Sequence, residues 1–369
     1  CNIHECGQTG IVGHLGGVFS VIEDNHIHHI NNRQNLAGAE IGGIKMHAAI
    51  DVIIRRNHFH HCTRGLWLDW QAQGTRVTRN LFHDNTVPFE HLLTEEAKSA
   101  EAIGEDIFIE VSHGPTLVDH NLLLSRRSFK MPTQGVAVVH NLIAGSIAAV
   151  GTGVNNGAKT LQSPRYTPYH VPHRTEVAGF MTILHGDMRF YNNVFVQQEV
   201  PAFLKRVEEA VTVKVWDDFN TTAGTKPYDG YQTYEEWEKE FDGYCGMGSA
   251  PSDRYYIPLP VWTGGNRYYN GAQPCDKEKD FIVDTEHTIH LELKEEADGW
   301  KLCTNLGEVL PVGEEKLITT QTLGMAFEPE QRYENPDGTE IIFDEDYFGI
   351  KREGVTAGPF VKVTDGMCV

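Results

Sequence analysis

The segment GLWLDWQAQGTRVTRNLFHDN, residues 65–85, decides the fold. Its apolar runs are short, alternate with polar residues and carry β-branched side chains, which predicts strands rather than an amphipathic helix. One of these runs ends at Asn80, and the apolar pair Leu81 and Phe82 follows at once. The segment therefore predicts strand, turn and strand, with Asn80 at a turn.

Runs of this kind recur along the chain, ending at Asn25, Asn57, Asn80, Asn121, Asn141 and Asn193. The interval is as short as 20 residues (Asn121 to Asn141) and as long as 52 (Asn141 to Asn193). The shortest match one coil of a parallel β-helix, and the longer ones predict coils with inserted loops. Asparagine tolerates left-handed backbone geometry, and identical side chains on successive turns can form a hydrogen-bonded ladder. A β-sandwich with regular turns is the alternative fold.

The fold class we predict is all-β, a parallel β-helix with long loop insertions and a small β-rich C-terminal region. Residues 1–200 are expected to form the β-helix that contains Asp69 and Glu110, 201–250 an insertion with a short helix, and 251–369 a strand-rich region that completes the helix. Thr233 and Glu236 match a capping box at the start of that short helix. A hairpin is expected around Ala297, Asp298 and Gly299.

The composition excludes several classes of partner. The net charge of −20, from 51 acidic and 31 basic residues, disfavours nucleic acid and anionic membranes, whereas a neutral sugar fits. The sequence contains no apolar stretch of about 18 residues that would span a bilayer. Seven scattered cysteines without a CxxC pair argue against a disulfide framework and favour a reducing, cytoplasmic location. The chain starts at Cys1 rather than Met, so we expect an upstream region, and a homo-oligomer is left open.

Two carboxylates occupy the same station on successive coils. Asp69 lies 11 residues before Asn80 (80 − 69), and Glu110 lies 11 residues before Asn121 (121 − 110). Alternation in each strand points the apolar neighbours inward and these two acids outward. Rungs about 4.8 Å apart would place the carboxyl groups roughly 5 Å apart, the separation of retaining glycosidases. The alternative is an exposed acidic column that is merely solvated.

Other residues are expected in the same outer column. Lys130 also lies 11 residues before its asparagine (141 − 130), and His47 aligns with Asp69 if its coil is one residue shorter. Flanking cations are expected to keep Asp69 ionised. An aromatic neighbour and the Asp69 charge are expected to raise the pKa of Glu110 towards that of a general acid.

Three segments resemble the glycoside hydrolase family 120 β-xylosidases: residues 43–52, 65–85 and 106–115. The resemblance implies a right-handed parallel β-helix, a nucleophile at Asp69 in LWLDWQ and an acid/base at Glu110 in FIEVSHGP. It implies a xylo-oligosaccharide or aryl xyloside substrate, and no cofactor is needed. It also implies an additional β-sandwich upstream of Cys1 that completes the active-site cleft. Residues 86–105 lengthen the loop between the two catalytic strands beyond the usual spacing.

Further residues are candidates for the sugar site. Glu40 resembles a substrate-binding glutamate of that family, and Lys45 lies beside His47 in the same strand. Trp67, Trp70 and Gln71 could line the site by ring stacking and hydroxyl hydrogen bonds. The alternative for Trp70 is packing at a coil corner. The next candidate, His113, follows Glu110 closely enough to orient it, and the segment 166–174 is rich in groups that bind sugars.

A repeated histidine pattern invites a metal hypothesis. Three histidines recur with an offset of 32 residues: His26, His28 and His29, then His58, His60 and His61. The offset indicates turn positions of successive coils, so no metal site is predicted.

The sequence thus favours a retaining, exo-acting β-xylosidase that releases xylose. A Ca²⁺-dependent β-helix polysaccharide lyase with an Arg or Lys base is one alternative, and Lys130 beside the acids favours it. A non-catalytic carbohydrate-binding β-helix is the other.

Overall fold

A computed structural model describes residues 1–33, 40–86, 104–149, 165–210 and 220–369. Three parallel sheets, named A, B and C here, run along the described part of the chain, and the coils between residues 9 and 196 contribute strands to B, C and A in turn. In one coil these are β8 (Arg64–Asp69), β9 (Thr75–Thr78) and β10 (Leu81–His83). Every strand pair in the three sheets is parallel, so the β-sandwich alternative is wrong.

Sheet B contains β2 (Thr9–His14), β5 (Gly42–His47), β8 (Arg64–Asp69), β11 (Glu105–Glu110), β14 (Arg127–Lys130) and β17 (Ser146–Ala148). Sheet C contains β3 (Val21–Glu23), β6 (Ile53–Arg55), β9 (Thr75–Thr78), β12 (Thr116–Asp119), β15 (Val136–Val139), β20 (Met188–Tyr191) and β22 (Val261–Gly264). Sheet A contains β1 (Asn2–His4), β4 (His26–His28), β7 (His58–His60), β10 (Leu81–His83), β13 (Leu122–Leu123), β16 (Leu142–Ile143), β21 (Val194–Val196), β23 (Arg267–Tyr269) and β24 (Ile282–Val283).

Two smaller antiparallel units lie outside the coils. One is the hairpin of β18 (Tyr166–His170) and β19 (Val177–Thr182). The other joins β25 (Leu291–Glu296), β26 (Gly299–Thr304) and β27 (Met367–Cys368), and its first turn is at the predicted Ala297 and Asp298.

The described helices are α1 (Ala202–Ala210), α2 (Tyr234–Lys239) and α3 (Thr320–Leu323), with short 3-10 turns at Lys226–Tyr228, Ala250–Tyr256 and Leu306–Glu308. The predicted capping box of Thr233 and Glu236 opens α2. Among the described residues, no helix combines the length and the apolar character that a bilayer crossing requires. The coils continue past residues 201–250 into β22, β23 and β24, and the division into three regions stays a prediction.

Stacked apolar side chains fill the interior of the coils. On sheet B, Ile44, Leu66 and Ile107 occupy one inward row and are fully buried. On sheet A, the rings of Phe59 and Phe82 stack 4.5 Å apart. Each such side chain contributes about 1.5–3 kcal/mol by leaving water, so the repeat itself generates the core.

The predicted asparagine ladder is present and continues to Asn266. Side-chain amides donate to the next side-chain carbonyl from Asn25 to Asn57, and onward through every predicted rung, at 2.9–3.1 Å. The expectation that asparagine itself takes the left-handed conformation is wrong. The positive φ falls one residue earlier, as at Arg79 (58°) and His120 (53°), because the asparagine amide turns back to the carbonyl two residues before it.

The C-terminal region covers the outer faces of two sheets. Leu302 and Phe360 pack on outward leucines of sheet A. Tyr333 and Phe343 pack on the outward row of sheet C that includes Val139. The outer face of sheet B instead lies under residues next to the β18–β19 hairpin, and this difference positions the candidate site.

Candidate active site

The predicted carboxylate pair lies on the outer face of sheet B. His47, Asp69 and Glu110 are register neighbours on β5, β8 and β11. Adjacent strands are about 4.8 Å apart, so the two acids stand side by side. Asp69 and Glu110 are each only 6% exposed. The alternative of a solvated acidic column is therefore wrong.

The two oxygens of Asp69 have different surroundings. Its Oδ2 accepts a hydrogen bond from Lys45 Nζ at 2.8 Å and lies 3.0 Å from His47 Nε2. Its Oδ1 is buried and has no hydrogen-bond partner among the residues that the structure describes. Two neighbours thus hold Oδ2 in place, whereas Oδ1 accepts no hydrogen bond from a described residue.

Lys45 connects Asp69 to Glu40. The Lys45 side chain is fully buried, and its Nζ lies 2.9 Å from Glu40 Oε2, whose side chain is 44% exposed. Nζ also lies 3.6 Å from the centre of the Trp67 ring, a favourable cation–π distance. Lys45 therefore supplies the positive charge between the two acids.

Arg165 was missed by the sequence analysis. It precedes β18 directly, and its Nη1 donates to Glu110 Oε1. Its guanidinium lies 5.1 Å from the centre of the Trp70 ring. The quoted segment 166–174 begins one residue later, and nothing in the coil register points to a residue that reaches the site from a hairpin.

Burial shifts the pKa values of Asp69 and His47. Desolvation and the neighbouring charge of Glu110 raise the pKa of Asp69 to about 7, against the opposing effect of Lys45 and Arg165. The flanking cations lower the pKa of Asp69 as expected, and the effect of burial is larger and of opposite sign. Desolvation also lowers the pKa of His47, with Lys45 acting in the same direction.

Lys130 does not share the station of the acids. It pairs with Phe108, so it stands two residues away from the position predicted beside Glu110. The next strand begins in register, with Thr116 opposite Val136. Phe108 to Thr116 is eight residues and Lys130 to Val136 is six, so the turn after Lys130 is two residues shorter. Counting back from the asparagine could not detect this difference.

The rings of Trp67 and Phe108 stack on each other, two residues before Asp69 and Glu110 in β8 and β11. Their rings are 4.8 Å apart, with Lys45 on the outer side of Trp67 and Lys130 Nζ 4.7 Å from the Phe108 ring centre. Trp67 is 6% exposed. Both of its faces are occupied, so it does not offer the ring-stacking surface expected from the sequence.

His113 anchors the β18–β19 hairpin and does not orient Glu110. Its Nε2 donates to Thr167 O at 3.1 Å, and its Nδ1 accepts from Gln134 Nε2 at 3.1 Å. Burial lowers the pKa of His113 to about 4, in keeping with this neutral tautomer. The expectation fails because both ring nitrogens are engaged by other groups.

Gln71 and Trp70 lie where the coil meets that hairpin. Gln71 Oε1 lies 3.1 Å from His170 Nε2. Trp70 is partly buried and packs against Val111 and Ile183, so corner packing and proximity to the site coexist.

The remaining loop prediction, residues 86–105, falls largely outside the described residues. Strand β11, which follows that loop, pairs with β8 in the expected register.

Glu40, His47 and Asp69 present three oxygen and nitrogen atoms within 4.8 Å of one another, a set that could hold a metal ion. Lys45 Nζ already contacts two members of that set. An ammonium group there would repel a metal cation, so the site favours a neutral ligand.

Comparisons with known proteins agree with this architecture. Residues 1–143 match a family model described as a right handed beta helix region. A solved structure described as the complex structure of XylC with xylose is 36% identical, with a TM-score of 0.76 over 99% of this chain. This chain spans 50% of that one. A comparison with curated proteins found no match. The fold is a right-handed parallel β-helix, similar to that of XylC.

Proposed function

We propose that this chain carries the catalytic pair of a retaining, exo-acting β-xylosidase. The observation that carries the proposal is the register pairing of Asp69 with Glu110 on a buried, cation-lined face. Carboxyl groups on neighbouring rungs match the separation of about 5–5.5 Å that double displacement requires. The similarity to a protein solved with xylose supports the choice of sugar.

Asp69 is the nucleophile in this proposal. Lys45 and His47 hold its Oδ2, which leaves Oδ1 free to attack the anomeric carbon. Glu110 donates a proton to the departing oxygen, and the bond from the anomeric carbon to that oxygen breaks as the bond to Asp69 forms. Glu110 then accepts a proton from the water that releases the sugar from Asp69. Two inversions give overall retention.

Arg165 has a binding role in the proposal. It contacts Glu110 and would have to yield part of that contact to a bound sugar. Glu40, half-exposed beside Lys45, and Trp70, partly exposed beside Arg165, remain the candidates for hydroxyl contacts and ring stacking. A sugar bound at this position would place its hydroxyl groups beside charged side chains rather than on an apolar surface.

The lyase alternative loses its main support. It calls for an Arg or Lys base and was favoured by Lys130 next to the acids, whereas Lys130 pairs with Phe108 and its Nζ lies over that ring. The non-catalytic alternative predicts sugar binding without turnover, and the experiment below separates it from hydrolysis.

Azide rescue of aryl xyloside hydrolysis tests the two roles together. Asp69→Gly should be rescued by azide with formation of the α-xylosyl azide, and Glu110→Ala with formation of the β-xylosyl azide. Glu23→Gln, which removes a strand carboxylate from sheet C, is the control that keeps wild-type turnover. Xylose binding by the chain with no turnover in any variant would support the non-catalytic alternative and sink the proposal.

A further inference from the structure

A cluster of imidazole rings covers the outer face of sheet A, on a different sheet from the acids. One row contains His26 and His58, whose rings stack 4.8 Å apart. A second row runs across four strands through His4, His28, His60 and His83, with ring centres 4.9–5.0 Å apart. The inward neighbours in these strands are apolar, so the histidines are not needed to build the core.

The two rows meet through their ring nitrogens. His26 Nε2 lies 2.7 Å from His60 Nε2, and His58 Nε2 lies 2.7 Å from His83 Nε2. His26, His58 and His60 each offer one nitrogen within 4.8 Å of the others. The sequence assigned six histidines to turns: His26, His28, His29, His58, His60 and His61. That assignment is wrong for those in β4 and β7, and only His29 and His61 have the positive φ of a turn.

Trp300 covers this cluster from the β25–β26 hairpin. Its ring centre lies 4.5 Å from that of His83, 5.2 Å from His58 and 5.8 Å from His60. His60 and His83 are 7% and 3% exposed, while His26 and His58 are partly exposed. The cluster is thus open to small ions on one side and shielded by an aromatic ring on the other.

We propose that His26, His58 and His60 bind a divalent transition-metal ion of the Zn²⁺ class. Imidazole nitrogens suit Zn²⁺, Cu²⁺ and Ni²⁺, and bonds of about 2.0–2.1 Å require ligand nitrogens roughly 3.3 Å apart in a tetrahedral site. The 2.7 Å contact would open by about half an ångström, which small rotations of the rings provide. The ion would tie the coil of β4 to the coil of β7.

Metal binding is tested with the tag-free full chain and Zn²⁺ alone, by titration calorimetry and by metal content after dialysis. The wild-type chain should bind one Zn²⁺, and its melting temperature should rise by about 3 °C or more at saturation. His58→Gln should weaken binding at least about tenfold. The control His4→Gln removes an exposed ring that stacks in the second row but is outside the ligand set, and it should bind as wild type does.

Cu²⁺ provides a second measurement that does not depend on whether His58→Gln folds. Bound Cu²⁺ should quench the fluorescence of Trp300, and the quenching should vanish in Trp300→Phe while stoichiometric binding persists. Three results would overturn the proposal: no saturable binding by the wild type, unchanged binding in both His58→Gln and His26→Gln, or loss of binding in Asp69→Asn. The last would place the ion at Glu40, His47 and Asp69.

Discussion

The asparagine ladder and the acid pair are built on the same rung spacing and behave in opposite ways. In the ladder, Asn121 accepts from the main chain and side chain of Asn80 and donates to Asn141 Oδ1 at 3.0 Å. An amide carries both a donor and an acceptor, so identical neighbours satisfy one another. Asp69 and Glu110 are both acceptors when ionised and cannot bond to each other without a proton.

This difference in hydrogen bonding distinguishes the part of the repeat that stabilises the coils from the part that we propose to be reactive. The ladder is closed, since every described rung bonds to the next. Among the described residues, Lys45 and His47 contact Asp69 and Arg165 contacts Glu110, whereas the two acids do not satisfy each other. A repeat makes similar neighbours by default, and two adjacent buried carboxylates that repel each other are a pairing more typical of functional sites than of stabilising ones.

Converting the acid pair into amides should give the largest effect. In the double variant Asp69→Asn, Glu110→Gln, the hydrolysis rate on an aryl xyloside should fall by about 10⁴-fold or more, because nucleophile and proton donor are both lost. Isosteric amides retain the packing, so the circular dichroism spectrum should be unchanged. A loss of less than tenfold would mean that the pair is not the catalytic one.

The reciprocal change puts a carboxylate into the ladder. In Asn121→Asp the new group would still accept from Asn80, yet it would face Val77 O, Asp119 O and Asn141 Oδ1 without a proton to donate. An unpaired carboxylate facing the partial negative charges of three carbonyl oxygens in a fully buried position should lower the free energy of unfolding at pH 8 by about 3–5 kcal/mol.

Lower pH should restore part of that loss, because a protonated carboxyl can donate one hydrogen bond. Urea unfolding at pH 8 and pH 5 measures the difference, with Asn335→Asp, at a partly exposed turn, as the control that changes little. Equal destabilisation at both pH values would show that shape, rather than hydrogen bonding, holds the ladder.

The stability cost of the acid pair itself should depend on pH. The folded pKa of Asp69, about 7, lies above the unfolded value near 3.8, so the folded chain holds a proton that the unfolded chain releases between these values. The free energy of unfolding therefore falls as pH rises from about 4 to about 7. Asp69→Asn should abolish up to about 4 kcal/mol of this fall. The test is the difference between wild type and variant in urea, which should grow from pH 4 to pH 8.

The sequence predicted the coils well because the repeat and the hydrophobic core are the same feature. Six of the ladder asparagines were identified from short runs, and the structure adds Asn266 after the long excursion from Asn193. The register of Asp69 with Glu110 followed from one count, since both coils have turns of equal length. The same count misplaced Lys130, because the turn that follows Lys130 is two residues shorter than the turn after Glu110. No residue type in the sequence marks this difference in length.

Residues that reach the site from outside the coils could not be predicted in this way. Arg165 lies 55 residues beyond Glu110 in sequence and arrives from a hairpin. His113 was assigned by its sequence proximity to Glu110, but the chain bends sharply there, at the positive φ of Val111 and Gly114, and directs the ring to Thr167. The burial that raises the pKa of Asp69 also depends on such covering residues, which a single-coil pattern does not contain.

The corrected position of Lys130 leads to the smallest expected effect. Lys45 Nζ contacts Asp69 Oδ2, whereas Lys130 pairs with Phe108 in the strand register and its Nζ lies 4.7 Å from the centre of that ring. Lys45→Met removes a direct counter-charge, so the pKa of Asp69 should rise further and kcat/KM at pH 7 should fall by about tenfold, equal to about 1.4 kcal/mol. The acidic limb of the pH profile should move to higher pH, since more hydroxide is needed to ionise the nucleophile. Lys130→Met should change kcat/KM by about twofold or less and leave that limb in place. If the two variants behaved alike, Lys130 would act on the acids directly, as counting back from Asn141 had predicted.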